Sequence, residues 1–189
     1  MIGNRRMNIN VSAYKQNWVG MFEKEAKLIR KILKEECVDI HHIGSTAVPN
    51  LKAKPIIDIM PTVKKLENVD ALNDEMRNIG YEALGEFGIN NRRYFRKGGE
   101  NRTHQVHIFQ YDNNIEIERH LAVRDYLQDH ESARIEYGNL KEHLANKFPK
   151  DIEGYSNGKD AFMKKLEQKA LEWKRNTDGS FLNKDHKKI

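Results

Sequence analysis

The sequence predicts an α+β fold: a mixed β-sheet with flanking helices and a helical C-terminal segment. Three observations carry this. Up to about residue 115, apolar residues recur with helical spacing in some segments and with strand-like alternation in others. Beyond residue 116 only helical spacing remains, and strands first with helices last is an α+β order. The Gly98-Gly99 pair between two strand-like runs is a hairpin signal.

The elements follow in order. Trp18, Phe22, Ala26, Ile29 and Leu33 recur at three- and four-residue steps and predict an amphipathic helix over 14–36. Val38–Ile43 alternates like a half-buried strand, and Pro55–Met60 is a short apolar strand punctured by Asp58. Pro61 lacks an N–H and is expected to end that strand's pairing. Leu66, Val69, Leu72, Met76 and Ile79 predict a second helix closed by Gly80. Strands are expected over Tyr81–Phe87, Arg92–Lys97 and Thr103–Tyr111. Three helices follow, marked by Leu121–Leu127, by Ile135–Phe148 and by Phe162–Trp173, the last with Ser156 as its N-cap. One domain is expected over 11–174, split into a sheet core (11–115) and C-terminal helices (116–174), with flexible ends at 1–10 and 175–189.

Composition mostly excludes. The 189 residues are 38% hydrophobic and 32% charged, against ~25% charged in ordinary globular domains. Lys plus Arg exceed Asp plus Glu by 33 to 28, a net charge of +5. That mild, mixed excess permits a phosphate-bearing ligand without requiring nucleic acid, which is not expected as a partner. No apolar run approaches the ~18 residues of a membrane span, and Met1-Ile-Gly-Asn-Arg-Arg leads into no apolar stretch like that of a signal peptide. The single cysteine, Cys37, excludes an internal disulfide and a cysteine-based zinc site. A cytoplasmic location is expected.

The most informative segment runs from His42 to Met60. A strand enters Gly44-Ser45, where the backbone can approach a ligand, a hydroxyl is offered, and successive N–H groups form an anion-binding concavity. Fourteen residues after Gly44, on the next strand, stands Asp58. This is the layout of nucleotidyltransferase-fold enzymes, in which the turn holds a triphosphate and acidic residues hold Mg²⁺ on it. The plainer alternative is a tight turn followed by a strand with a solvent-facing Asp.

The strings His42-Ile-Gly-Ser-Thr-Ala-Val-Pro and Lys54-Pro-Ile-Ile-Asp-Ile resemble the core motif of the GrpB family. The likeness continues in Arg102-Thr-His-Gln-Val-His107, where that family has a His-His-Leu-His run. It goes on through His120–Leu127, Tyr137–Ala145 and Tyr155–Trp173, and covers about residues 11–174. The resemblance implies a nucleotidyltransferase-like fold and brings no substrate with it.

The residues depart from an active transferase in one respect. Such enzymes offer Asp-x-Asp on one strand, but Ile56 stands two residues before Asp58. Two metals ~3.5–4 Å apart need bridging carboxylates, so one metal at best is expected. Alternation along the Thr103–Tyr111 strand, where a transferase's third carboxylate would stand, puts Gln105, His107 and Phe109 on one face, and His104, Val106 and Ile108 on the other. His107 is therefore expected beside Asp58, with His104 reaching it only from the strand end and Gln105 in place of the family's second histidine. Asp58 and His107, aided by His104 and His42, are the expected ligands of one Mg²⁺ or Mn²⁺. Lys54 and Arg124 are the expected phosphate contacts alongside Gly44, Ser45 and Thr46.

Gly154-Tyr-Ser-Asn-Gly-Lys159 fails as a P-loop, with one spacer residue too few and Asp160 in place of Ser or Thr. The expected function is binding of a nucleotide or phosphorylated small molecule, extending to metal-dependent nucleotidyl transfer in which Asp58 and His107 are the catalytic residues. The alternative is a non-catalytic ligand- or RNA-binding accessory domain that has lost the metal carboxylates. A third reading is metal-dependent hydrolysis through His107, His104 and Asp58.

Overall fold

A computed structural model describes residues 8–182. Five strands form one sheet: β1 (Cys37–Ile43), β2 (Ile57–Val63), β3 (Tyr81–Ala83), β4 (Arg92–Lys97) and β5 (His104–Gln110). Their order is β1-β2-β5-β4-β3, with β2 and β5 parallel and the other pairs antiparallel. The fold is the mixed-sheet α+β arrangement expected from the sequence.

One sheet face is covered by α1 (Asn17–Leu33) and α2 (Asn73–Asn78). There Trp18, Ile29 and Leu33 pack on Ile57, Ile59, Val106 and Ile108. The helical stripe read from the sequence is the buried one, although α1 is shorter than expected. It stops where Lys34 takes a φ of 48°, and Lys34–Glu36 tighten into a 3-10 turn. The expected second helix is likewise 3-10 over Leu66–Leu72 before it becomes α2.

On the other face, α3 (Asn114–Asp129) packs Ile117 and Leu121 against Ile43, Met60 and Phe109. Two further helices, α4 (Glu131–Lys147) and α5 (Ile152–Leu182), stack beside it. Val48 and Leu51, just after the turn that follows β1, enter the core formed by Leu127, Tyr137 and Leu166. That packing brings α4 and α5 over the Gly44 turn.

Several expectations are corrected. Pro61 does not end β2: it pairs with Ile40 on the β1 side, while on the β5 side partners lapse at residues 60–61 and resume at Thr62. β3 ends at Ala83 rather than at Phe87, because Gly85, Phe87, Gly88 and Asn91 all take positive φ and coil the chain. Ser156 is not a cap. It lies inside α5, and Asp151 caps instead, its carboxylate accepting from the Gly154 N–H at 2.9 Å. Residues 8–10 are not a free arm, since the Ile9 N–H donates to the Pro149 carbonyl and its side chain is buried with Leu144, Ala145 and Tyr155. At the other end α5 continues helically past residue 176 to Leu182. The expected ends at 1–7 and 183–189 lie outside the described residues.

Candidate anion-binding site

β1 delivers the chain into Gly44, whose φ of 70° and ψ of −171° lie in a region that essentially only glycine occupies. A second constraint is steric. A Cβ on Gly44 would sit 2.6 Å from Asp58 Oδ2. The antiparallel pairing of Ile43 with Asp58 sets this up, because it tucks the carboxylate directly under the turn. Glycine is needed here for the carboxylate as well as for any ligand.

On the other side of Asp58, the parallel register places Gln105 beside it, and two residues on, His107 Nε2 lies 3.3 Å from Asp58 Oδ1. The opposite ring nitrogen, Nδ1, is 3.3 Å from Arg92 Nη1. A guanidinium can only donate, so Nδ1 accepts and the proton of the neutral ring sits on Nε2, directed at Asp58. Arg92 is only 5% exposed, and it also donates to the carbonyls of Glu86 at 3.1 Å and Phe87 at 2.7 Å. The sequence placed Asp58 and His107 together, and the structure does bring them together.

Above this floor stand lysines. Lys54 comes from the segment before β2, Lys141 from α4 and Lys159 from α5, and all three line a cavity of about 210 Å³ with Asp58, Ser45 and Gln105. Lys141 Nζ donates to Ser45 Oγ at 2.8 Å and lies 4.3 Å from the Tyr137 ring centre. Lys159 and Lys54 both approach the Tyr155 ring, at 4.6 and 5.0 Å. Such cation–π contacts partly replace lost hydration. Lys141 is only 2% exposed, and Asp58 is the carboxylate whose charge it feels. Burial, then the charges of Lys159 and Lys54, push Lys141 well below the usual ammonium range. Burial, then Lys54, brings Lys159 down to about 8. Burial lowers Lys54 as well, and raises the Tyr137 hydroxyl to about 12. Each ammonium is desolvated and pressed by its neighbours, so the three lysines form one strongly perturbed cluster.

Other expected residues lie elsewhere. His42 and His104 pair with Ile59 and Ile57, core residues of the α1 face, opposite to Asp58. His42 stacks on Phe22 with ring centres 4.7 Å apart, its Nε2 is 3.0 Å from Thr46 Oγ1, and burial holds it down at about 4. His104 Nδ1 is 2.9 Å from Thr103 Oγ1. Neither shares a face with Asp58, so the metal set of Asp58, His107, His104 and His42 does not assemble. The hydrolytic trio of His107, His104 and Asp58 fails for the same reason. Among the described residues no three His, Cys, Asp or Glu side chains gather as a metal site. Arg124 is engaged too: it pairs with Asp125 at 2.7 Å and donates to the His42 carbonyl at 3.1 Å. Thr46, by contrast, lines the cavity with Gly44 and Ser45 as expected, although its hydroxyl is turned to His42 and the Ile56 carbonyl.

The GrpB protein family model matches residues 8–169. The chain belongs to the GrpB family. A crystal structure of the conserved protein GrpB from Enterococcus faecalis superposes with a TM-score of 0.84 at 52% identity, covering 86% of this chain and 98% of that one. UPF0157 protein YqkA of Bacillus subtilis is 41% identical over 94% of this chain, which spans only 52% of that relative's length. The fold itself is nucleotidyltransferase-like. The Cid1 poly(U) polymerase structure with Mg 3′-dATP bound aligns over 72% of this chain and 43% of its own, with a TM-score of 0.51 at 10% identity, a likeness of fold alone. In this GrpB chain no helix among the described residues is long and apolar enough to cross a membrane.

Sequence reasoning missed Tyr137, Lys141, Tyr155 and Lys159. A signal was present: Tyr and Lys stand four residues apart twice, once on α4 and once on α5, and that spacing stacks two side chains on one helix face. Lys159 even appeared inside the rejected P-loop lookalike.

Proposed function

We propose that this GrpB protein binds a nucleotide or a similar phosphorylated small molecule in the cavity between the Gly44–Thr46 turn and helices α4 and α5. The observation that carries the reading is the convergence of Lys54, Lys141 and Lys159 on one small cavity whose floor holds the carboxylate of Asp58. Phosphate oxygens would relieve the desolvated ammonium groups and accept from Ser45 and the lysines. The fold likeness to a nucleotide-binding polymerase supports this choice among anions.

The donor set fits one Mg²⁺ or Mn²⁺ held by Asp58 together with ligand phosphates and water, since Mg²⁺ accepts one carboxylate plus phosphate oxygens. It does not fit two. Ile56 is buried where a second carboxylate would be needed, and the neighbouring strand offers Gln105. A bound ion would supply Lewis-acid polarisation of the phosphates. The protein's own part is to hold Asp58 in place through His107 and Arg92, and to neutralise phosphate charge with the lysines. The incomplete carboxylate set favours a second reading, a binding module without transfer.

Calorimetry with ATP, GTP, CTP and UTP, each with Mg²⁺ and with Mn²⁺, tests the proposal. Saturable binding with at least one of them is expected, and Asp58→Asn should weaken the metal dependence while keeping the fold. Absence of heat with every nucleotide, with an unchanged melting temperature, overturns it. Incorporation of labelled nucleoside monophosphate into any acceptor separates transfer from binding.

A further inference from the structure

The lysine cavity, at about 210 Å³, is smaller than the ~300–1,000 Å³ of sites that enclose a whole organic ligand. It can take the phosphate part and little else. A second cavity, of about 540 Å³, adjoins it and shares the wall formed by Lys54 and Ile56. Its other walls come from the start of the described chain, from α1, and from the connection between β4 and β5.

The chemistry of this second cavity differs. Met21, Pro55 and Ile56 give an apolar surface, while Asn8, Asn10 and Asn101 offer carboxamides and Arg102 a guanidinium. Glu100 adds one carboxylate, an acceptor suited to a base amino group or a sugar hydroxyl and not to phosphate. Arg102 Nε is buried without a hydrogen-bond partner. A buried donor left unmade costs ~1–3 kcal/mol, a cost that an acceptor carried by a ligand in this cavity would relieve. Apolar surface flanked by amide and guanidinium donors suits the face and edge of a heterocyclic base, for which Asn and Arg are fitting hydrogen-bond partners. The charge of Arg102 also reaches Lys54, so the two cavities form one electrostatic unit.

We infer that the second cavity is the nucleoside subsite of the same ligand: the base and sugar lie against Met21, Ile56 and Arg102, and the phosphates cross Lys54 into the lysine cavity. This rests on the phosphate reading above and names its ligand class as a nucleoside polyphosphate rather than a bare phosphate compound.

The experiment measures inorganic triphosphate and the four nucleoside triphosphates on the wild type, on Arg102→Lys, which keeps the charge that reaches Lys54 but removes the guanidinium, and on Asn10→Trp, a bulky replacement at an exposed lining position. At least one nucleoside triphosphate should bind tenfold or more tightly than inorganic triphosphate to the wild type. Both variants, with melting temperatures near the wild type's, should lose most of that surplus and leave the triphosphate affinity within twofold. Equal affinity of the wild type for triphosphate and for every nucleoside triphosphate overturns this subsite alone, as does an equal loss for both ligand kinds in the variants. No binding of either kind overturns the phosphate reading with it.

Discussion

Gly44 and Lys159 carry the sharpest consequences at the residue scale. Gly44→Ala forces a side chain into a backbone region almost reserved for glycine and drives its Cβ to 2.6 Å from Asp58 Oδ2. The backbone part alone costs of order 1–3 kcal/mol, so an unfolding free energy lower by at least that amount is expected in urea, seen as a lowered midpoint, and a wild-type midpoint would contradict the geometry. Lys159 titrates near 8 in the folded protein against an ordinary 10.5. Between those values the unfolded chain binds the extra proton, so the contribution of Lys159 to the stability of the ligand-free protein rises with pH there and is flat below, while Lys141 and Lys54, lowered as well, add to the rise. Thermal melts from pH 7.5 to 9.5, under the range where tyrosines ionise, should show the rise, and Lys159→Met should make it shallower, with Lys141 and Lys54 carrying the remainder. Binding runs the other way: phosphate favours the charged ammonium, so affinity should fall as pH passes about 8. These two residues also mark what a sequence can disclose. Gly44, Ser45 and Asp58 were legible because one hairpin of local chain brings them together, and strand alternation added His107. Lys141 and Lys159 reach the same cavity only through the docking of α4 and α5, which no local pattern specifies.

Elements that position the site depend on small polar anchors. The loop between β3 and β4 holds four positive-φ residues over 85–91, and Arg92 fastens it by donating to two of its carbonyls while it orients His107. Arg92→Met keeps the bulk but leaves those acceptors and His107 without their donor. A loss of about 2–4 kcal/mol follows from buried groups left unsatisfied at ~1–3 kcal/mol each, partly offset by water entry. Amide exchange across 84–91 should quicken more than in β2. Equal protection in both would show that Arg92 does not hold the loop. The misread boundaries share this cause. Extended pattern ran to Phe87 in the sequence, but the turn chemistry of Gly85 and Gly88 ended β3 earlier. Pro61 looked like a terminus, yet β2 tolerates it because pairing to β1 continues where the β5 side lapses. Asp151 outcompeted Ser156 as a cap because starting α5 at Ile152 puts Tyr155 into the core beside Ile9.

Across the whole molecule, the sheet half and the helical half meet at a cluster of like charges, and that arrangement opposes stability when no anion is present. Lys141 is the extreme case, a nearly buried ammonium bonded to the Ser45 hydroxyl and facing two more lysines. Lys141→Met keeps the straight chain and removes the charge, so the desolvation penalty disappears while one hydrogen bond is lost. Replacing a buried charge by an apolar side chain of similar shape is commonly neutral or stabilising. Without ligand, then, the variant should melt at or above the wild-type temperature. Ligand reverses the ranking. A site that binds only the folded state adds about 2.7 kcal/mol at a ligand concentration 100 times Kd, and the wild type should gain this from a saturating polyphosphate, while the variant gains little. Paired melts of the two proteins across a triphosphate titration should therefore cross. Parallel curves would mean that Lys141 is held for packing, and that the cluster between the two halves of the fold has no anionic ligand to serve.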